Sequence, residues 1–366
     1  MPSTQQPRKA FEPCTFMGLD LQTRFIRSAT LEGMAGPSGA PSPELTALYE
    51  RLGQGGVGLI STSACLSDRS WVPDAKGFLS LDGGTDLAGW EDSVRAVHRS
   101  GARISVQLAP FFLFDGRRVG PYAHQEEIHA LELREIERLV LSFAAAAARA
   151  RSAGVDAVQI HAGHGYPLSQ FLSPFFNRRE DEYGGSPSGR AKILVEIRRA
   201  VAGAAGADFP VWVKMNTFDG VPGGMTAVDA EPYGQILAGA SYAAIEATGG
   251  SPGGSHDSRG PLRKGEWAEG YYLANAARLK AVTDLPVVAV GGIRRPEMVE
   301  EILARGTADL VALSRPLICE PDLVRRWGAG DLSPSRCVSC NACLEMVYKG
   351  KGLFCVHEGG KAKQGA

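Results

Sequence analysis

The sequence predicts an α/β protein, a (β/α)8 TIM barrel with a short Cys-rich C-terminal extension. Three observations carry this. Short β-rich runs recur eight times, each followed by a longer amphipathic stretch. Several runs, among them VGLIST, DAVQIH, LPVVAV and DLVAL, are nearly unbroken apolar segments, as expected of parallel strands covered on both faces. The alternation ends near Ser333, where cysteines begin to crowd. The predicted division is a barrel over residues 1–332 and an extension over residues 333–366. A doubly wound open sheet is the alternative arrangement of the same elements.

The predicted strands cover residues 25–28, 57–62, 103–108, 156–161, 211–216, 242–247, 286–290 and 309–313. Helix punctuation lies between them. Ser42 reads as an N-cap, with Pro43 at the first helical position of PELTALYERL. Residues 135–152, with AAAAARA inside them, give the strongest helix signal. Thr226 and Asp229 have capping-box spacing. Pro296 opens EMVEEILA, and Gly306 stands where a C-terminal glycine belongs. Residues 53–58 match G-x-G-x-x-G but follow a helix and open a strand. That is the reverse of a dinucleotide fingerprint, so they read as a plain turn.

Composition narrows the function classes. Among 366 residues, Lys+Arg is 39 and Asp+Glu is 40, for a net charge of −1. No cationic excess is left for nucleic acid or an anionic membrane. With 44% hydrophobic and 22% charged residues the chain is globular rather than disordered. No apolar run approaches the roughly 20 residues that cross a bilayer. The first residues lack the apolar core of a signal peptide, so the expected location is cytoplasmic. Seven cysteines, an odd number, disfavour a disulfide framework.

In such a barrel the chemistry lies at the C-terminal ends of the strands, with phosphate held after strands seven and eight. Those loops read Gly291-Gly292-Ile293-Arg294 and Ser314-Arg315-Pro316. Glycine lets backbone N–H groups approach an anion, and arginine binds phosphate in bidentate fashion. Strand four runs into His161, His164 and Tyr166. Three readings compete: a metal pair without an evident third ligand, structural histidines, or donors to an oxygen that gains charge in a transition state, with Tyr166 as proton donor.

HAGHGY at 161–166, followed by LSQFLSPFFNRREDEYGGS, resembles the old yellow enzyme family of FMN-dependent ene-reductases, closest to its NADH:flavin oxidoreductase and 2,4-dienoyl-CoA reductase branch. RFIRSATLEGMA, ISVQLA, VWVKMN, GGMT, VVAVGGIRRPEMVEEIL and ADLVALSRPLICEPDLV extend the resemblance over about residues 10–345. The resemblance implies bound FMN, with its phosphate at Gly291, Gly292, Ser314 and Arg315. It places Ser28, Ala29 and Thr30 beside the flavin ring, Thr30 at a position that tunes it and where other members carry Cys. It places Ala64 at a backbone contact, Gln107 at the pyrimidine edge, and Lys214 near the N1–O2 side, where a cation stabilises reduced flavin. It further implies NAD(P)H as reductant and an α,β-unsaturated carbonyl substrate, with His161 and His164 holding the carbonyl oxygen and Tyr166 protonating carbon.

The tail carries Cys337, Cys340, Cys343 and Cys355 at ligand-like spacing. Four thiolates suit zinc or a [4Fe–4S] cluster. The resemblance to dienoyl-CoA reductase and trimethylamine dehydrogenase implies the cluster; zinc or free thiols are the alternatives. Those relatives continue into nucleotide-binding domains, whereas this sequence stops at Ala366, so electrons for a cluster are expected from a separate protein, or the cluster is structural. After strand three the chain reads QLAPFFLFD instead of the relatives' QL-x-H-A-G-R, so Phe111, Phe112 and Phe114 are expected to shape an apolar pocket or a packed loop. The glycine-rich stretch 249–260 is expected to be a mobile loop with His256 in solvent. Two rivals accompany the ene-reductase expectation: a dehydrogenase or demethylase passing electrons through a cluster to a partner, and a non-catalytic flavin-binding barrel. Pairing into a homo-oligomer through barrel faces is expected from the family.

Overall fold

The computed structural model describes residues 8–358 except 73–74, 112, 115, 124–126, 258–259 and 262–268. The barrel strands are β1 (Phe25–Arg27), β2 (Leu59–Leu66), β3 (Arg103–Leu108), β4 (Ala157–Ala162), β5 (Val211–Asn216), β6 (Ile245–Thr248), β7 (Val287–Ala289) and β8 (Leu310–Leu313). Each pairs in parallel with its successor, and β8 pairs with β1, so the sheet closes. The closed sheet rules out the open alternative. Every strand falls on its predicted run, with ends differing by at most three residues except at β2, which runs on to Leu66. A register shift between Ser61 and Ala64 lets β2 bend there and carry on.

The surrounding helices are α1 (Pro43–Gln54), α2 (Ala88–Arg99), α3 (Leu133–Ser152), α4 (Pro187–Ala205), α5 (Ala227–Gly239), α6 (Leu273–Lys280), α7 (Pro296–Ala304) and α8 (Leu323–Gly328). The Ser42 hydroxyl accepts from Leu45 N–H, and Thr226 and Asp229 make the reciprocal capping box. α3 begins two residues before its predicted start because Glu132 and Glu135 cap it reciprocally, a box written without Ser or Thr. His129, Glu132 and Glu135 form a compact cluster of metal-type donors. Glu135 there is already saturated by Glu132 N–H, His129 and Arg117 at 2.7–2.9 Å. This cluster is therefore a helix cap. No helix among the described residues is long and apolar enough to cross a membrane.

Inside the barrel the side-chain period of two sorts the residues by depth. Ile26, Leu59, Ala157, Trp212, Val288 and Leu310 form an apolar floor with Phe16 and Leu21. These last two come from a hairpin, Cys14–Phe16 paired with Leu19–Leu21, that closes the N-terminal end. Phe16 meets Trp212 edge-on at 5.9 Å. Two residues further along, on the β1, β2, β4, β5 and β6 side, the interior turns polar: Ser28, Ser61, Gln159, Lys214 and Glu246, all buried, whereas β7 and β8 continue with Val290 and Ala312. Outward residues such as Val158, Ile160, Val211, Val213 and Ile245 pack under the helices in the main core.

Beyond α8 the chain crosses the C-terminal face. The buried Glu320 carboxylate accepts from Arg336 N–H at 2.6 Å and Ser335 Oγ at 3.2 Å, and pairs with Arg326 and Arg336. This fixes the start of the cysteine segment. Its helix α9 (Ala342–Tyr348) packs on the loop after β1, where Gly33 has no room for a Cβ against Val347.

Candidate active site

At the end of β4 the chain turns through Gly163, His164 (φ +62°) and Gly165 (φ +75°) before Tyr166 opens a short helix, Pro167–Leu172. A left-handed histidine needs outside support. His164 N–H donates to Asn216 Oδ1 at 2.8 Å, and its Nε2 lies 3.0 Å from Thr248 Oγ1. The ends of β5 and β6 thus set where the second histidine stands. The His161 ring centroid is 5.2 Å from that of His164 and 5.3 Å from that of Tyr166, and Phe111 stands edge-on to Tyr166 at 5.5 Å. Burial, with Lys214 nearby, drives His161 down to about 3 and His164 well below the usual histidine value. Both are neutral imidazoles at working pH. Burial pushes Tyr166 up to about 12, so its phenol keeps its proton.

Beneath them lies a network that the sequence did not reveal. Lys214 Nζ pairs with Glu246 Oε1 at 2.9 Å and donates to Ser28 Oγ at 2.8 Å. Ser28 Oγ donates to the same carboxylate at 2.6 Å. Glu246 Oε2 accepts from Gln159 Nε2 at 2.8 Å, and Gln159 Oε1 accepts from Gln107 Nε2 at 2.7 Å and from Ser61. The acceptor-only carboxylate sets the direction of the whole amide chain. It also neutralises the only cation in this layer among the described residues.

At the opposite end, Gly291 (φ +114°) and Gly292 (φ +69°) bend the loop after β7 in a conformation that side chains resist. A Cβ on Gly291 would stand 2.7 Å from Tyr271. Ser314 Oγ lies 2.7 Å from Thr30 Oγ1. Arg315 donates to Asn341 Oδ1 at 2.8 Å and to Ser339 O at 3.4 Å, both within the cysteine segment.

All thirteen barrel residues singled out in the sequence, Ser28, Ala29, Thr30, Ala64, Gln107, His161, His164, Tyr166, Lys214, Gly291, Gly292, Ser314 and Arg315, line one cavity. It encloses about 1390 Å³, counting the part open to solvent. The cavity fits FMN in chemical kind. It has an anion end of backbone N–H groups and a guanidinium, and a polar floor with a cation. Its wall holds a buried imidazole nitrogen, His161 Nδ1, that has no partner among the described residues. Ser339, Asn341, Cys343, Leu344, Tyr348 and Leu353 line it too, so the tail forms part of its rim.

The four expected thiol ligands gather at one place: Cys337, Cys340, Cys343 and Cys355 line a smaller pocket next door, together with Cys319 and His357. Cys319 stands eighteen positions before Cys337 in the sequence. One other expectation changes. His256 is half-buried rather than in solvent, its ring meeting Phe218 at 5.4 Å, Tyr272 at 6.0 Å and Tyr271 at 6.2 Å. In the described part of the glycine-rich stretch, Gly250 N–H donates to Phe218 O, Ser251 N–H to His256 O and Ser255 N–H to Gly220 O. Of the aromatic cluster, Phe111 lines the cavity, while Phe112 and the Phe114 side chain lie outside the described residues.

Comparison with known proteins places the chain in a family. The profile of the NADH:flavin oxidoreductase / NADH oxidase family matches residues 9–331. A metal reductase of Desulforamulus reducens is 32% identical over 94% of this chain and 53% of its own length. A 4,4'-dithiodibutanoate disulfide reductase of Rhodococcus erythropolis is 30% identical over 93% of both chains. The chain therefore spans about half the length of the first relative and nearly all of the second. The solved structure of the old yellow enzyme homologue from Zymomonas mobilis superposes with a TM-score of 0.75 at 23% identity, covering 89% of this chain and 94% of that one, a likeness of fold. The chain belongs to the NADH:flavin oxidoreductase / NADH oxidase family.

Proposed function

We propose that this protein is an FMN-dependent reductase that uses NAD(P)H to reduce an activated C=C bond of an α,β-unsaturated carbonyl compound. The observation that carries this is the grouping of two neutral histidines and a protonated tyrosine, with His161 Nδ1 unpartnered among the described residues, on the wall of the cavity that also holds Gln107, Lys214 and Arg315. Bound FMN would supply hydride chemistry at its N5. Gly291, Gly292, Ser314 and Arg315 would hold its phosphate, and Gln107 and Lys214 its pyrimidine edge. Ser28, Ala29, Thr30 and Ala64 would flank the ring.

The protein's own work is then local. His161 and His164 donate to the substrate carbonyl oxygen and stabilise the charge that develops there. Neutral imidazoles can do so without a proton changing hands. Tyr166 delivers a proton to the α-carbon, which its high pKa permits because the acceptor is a strongly basic carbon. Phe111 and Tyr166 make one side of the pocket apolar.

Residues 333–366 form, in this reading, an extension to a barrel of residues 1–332, and Cys337, Cys340, Cys343 and Cys355 hold a [4Fe–4S] cluster. The resemblance of this spacing to cluster-binding relatives supports an iron–sulfur group over zinc. Cys343 lines both pockets, which also favours a second reading: a dehydrogenase passing electrons between flavin and a separate protein through the cluster.

An anaerobic optical spectrum of the full chain tests the cofactors: flavin bands, with a broad shoulder bleached by dithionite if the cluster is present. Stopped-flow kinetics of His161→Ala test the mechanism. The variant should keep its FMN and its reduction by NAD(P)H, yet reoxidise with cyclohexenone about 10²–10³-fold more slowly, the effect of losing one oxyanion donor. Unchanged reoxidation would end the ene-reductase reading. Absence of flavin after reconstitution would end it altogether.

A further inference from the structure

The pocket beside the cavity holds five thiols. Four come from the cysteine segment; the fifth, Cys319, ends the short helix Arg315–Cys319 and so belongs to the barrel. It is buried, whereas Cys340 is exposed, with its Sγ 3.5 Å from His357 Nε2. The Cys319 thiol shares this pocket with those of Cys337 and Cys355, close enough to feel their charge. A group that takes four thiolates would thus meet five. Soft thiolates at one site compete for the same metal valence, and the nearest unused one replaces a lost ligand with the least movement. Cys355 lies twelve residues beyond Cys343, past α9, whereas Cys319 is fixed by the barrel core.

From this we infer that the site is a five-thiol site in which Cys319 is an alternate ligand, able to take the place of Cys355. The inference rests on the reading that the cysteine segment binds a metal cluster. Substitution exchanges one Cys–S⁻ for another; the displaced thiolate takes up the proton that Cys319 releases, and no electron moves.

The test is anaerobic reconstitution of the full chain with ferrous iron and sulfide, followed by assay of iron and acid-labile sulfide per chain. Cys319→Ser should load like the wild type. Cys355→Ser should retain at least half the iron. The double variant Cys319→Ser/Cys355→Ser should hold less than a tenth. Circular dichroism and FMN content, read on the same samples, show whether each variant is folded. A folded Cys355→Ser as empty as the double variant overturns the inference and leaves the four-thiolate reading standing. A double variant that loads as well as Cys355→Ser also overturns it. A wild type that takes up no iron ends both.

Discussion

Replacing Glu246 by Gln keeps the shape of the buried carboxylate and removes its charge. The Lys214 and Glu246 side chains are 4% and 0% exposed and 2.9 Å apart. At an effective dielectric near 20, their attraction is about 6 kcal/mol, much of it offset by the desolvation of both ions. Removing one partner leaves the other charge buried alone, for which about 3–5 kcal/mol is the ordinary cost. A second fault arises in the amide chain. If the oxygen of the introduced amide turns to Lys214 and Ser28, its NH2 faces the Gln159 NH2, the group that donates to the native carboxylate. Relief requires Gln159 to flip, and that breaks the bonds it accepts from Gln107 and Ser61. Glu246→Gln should therefore lose about 3–5 kcal/mol of stability in urea unfolding, and bind FMN more weakly because Gln107 and Lys214 are both displaced. The double variant Lys214→Met/Glu246→Gln should recover at least ~1 kcal/mol relative to the sum of the single losses. A loss under about 1 kcal/mol for Glu246→Gln, or strict additivity in the double variant, would refute the claim that this carboxylate holds the cation and orders the amides.

Two further outcomes follow from the site. His161 is neutral in the folded protein down to about pH 3, whereas an unfolded histidine takes a proton near pH 6.5. Below pH 6.5 the unfolded chain binds the extra proton, so this group's contribution falls as pH drops, by up to about 1.4 kcal/mol per pH unit until pH 3. Buried Glu32, pushed up to about 7 by desolvation despite Arg27, acts oppositely: the native state holds the extra proton between about pH 7 and 4.5. Comparing urea midpoints of wild type and His161→Gln between pH 4.5 and 7 isolates the first effect; equal slopes for the two proteins would contradict it. Asn341→Ala removes the 2.8 Å partner of Arg315 and should weaken FMN binding about 2–10-fold, the worth of one ordinary hydrogen bond, as read by quenching of flavin fluorescence. An unchanged affinity would mean that the tail does not orient the guanidinium.

The sequence made the barrel legible because its strands are buried on both faces and its helices are punctuated at their ends. Where a run was misjudged the cause is local. β2 runs past its predicted end because a register shift between Ser61 and Ala64 keeps it paired with β3 through Leu108, and periodicity does not foretell such a shift. The site residues were legible through position: a polar side chain at the C-terminal end of a predicted strand points into the cavity, as Gln107, His161 and Lys214 do. Their partners were not. Glu246 lies in AAIEATGG and looks like any strand residue, and the pairing that makes it matter crosses from β6 to β5 and β1. Thr248 and Asn216, which fix His164, are likewise brought to it from two other strands. Cys319 was overlooked for the same reason: it lies eighteen positions before Cys337, and only the fold brings it into one pocket with the other thiols.

These hidden partners share a physical logic. A lysine beside the cavity would, if unpaired, draw any anion to itself. Glu246 cancels that charge from below, so the layer facing the cavity presents dipoles: two imidazoles, a phenol and an amide whose direction the carboxylate fixes. Dipoles held by the barrel need no reorganisation when charge appears on a bound oxygen, which is where preorganised donors outperform water. Burial keeps His161 and His164 neutral whatever the buffer, so the donors at the cavity wall are the same at pH 5 as at pH 8. Any acid limb in the pH profile of alkene reduction above pH 5 must therefore arise outside this histidine pair, and a limb abolished by His161→Gln would overturn the neutral-donor argument.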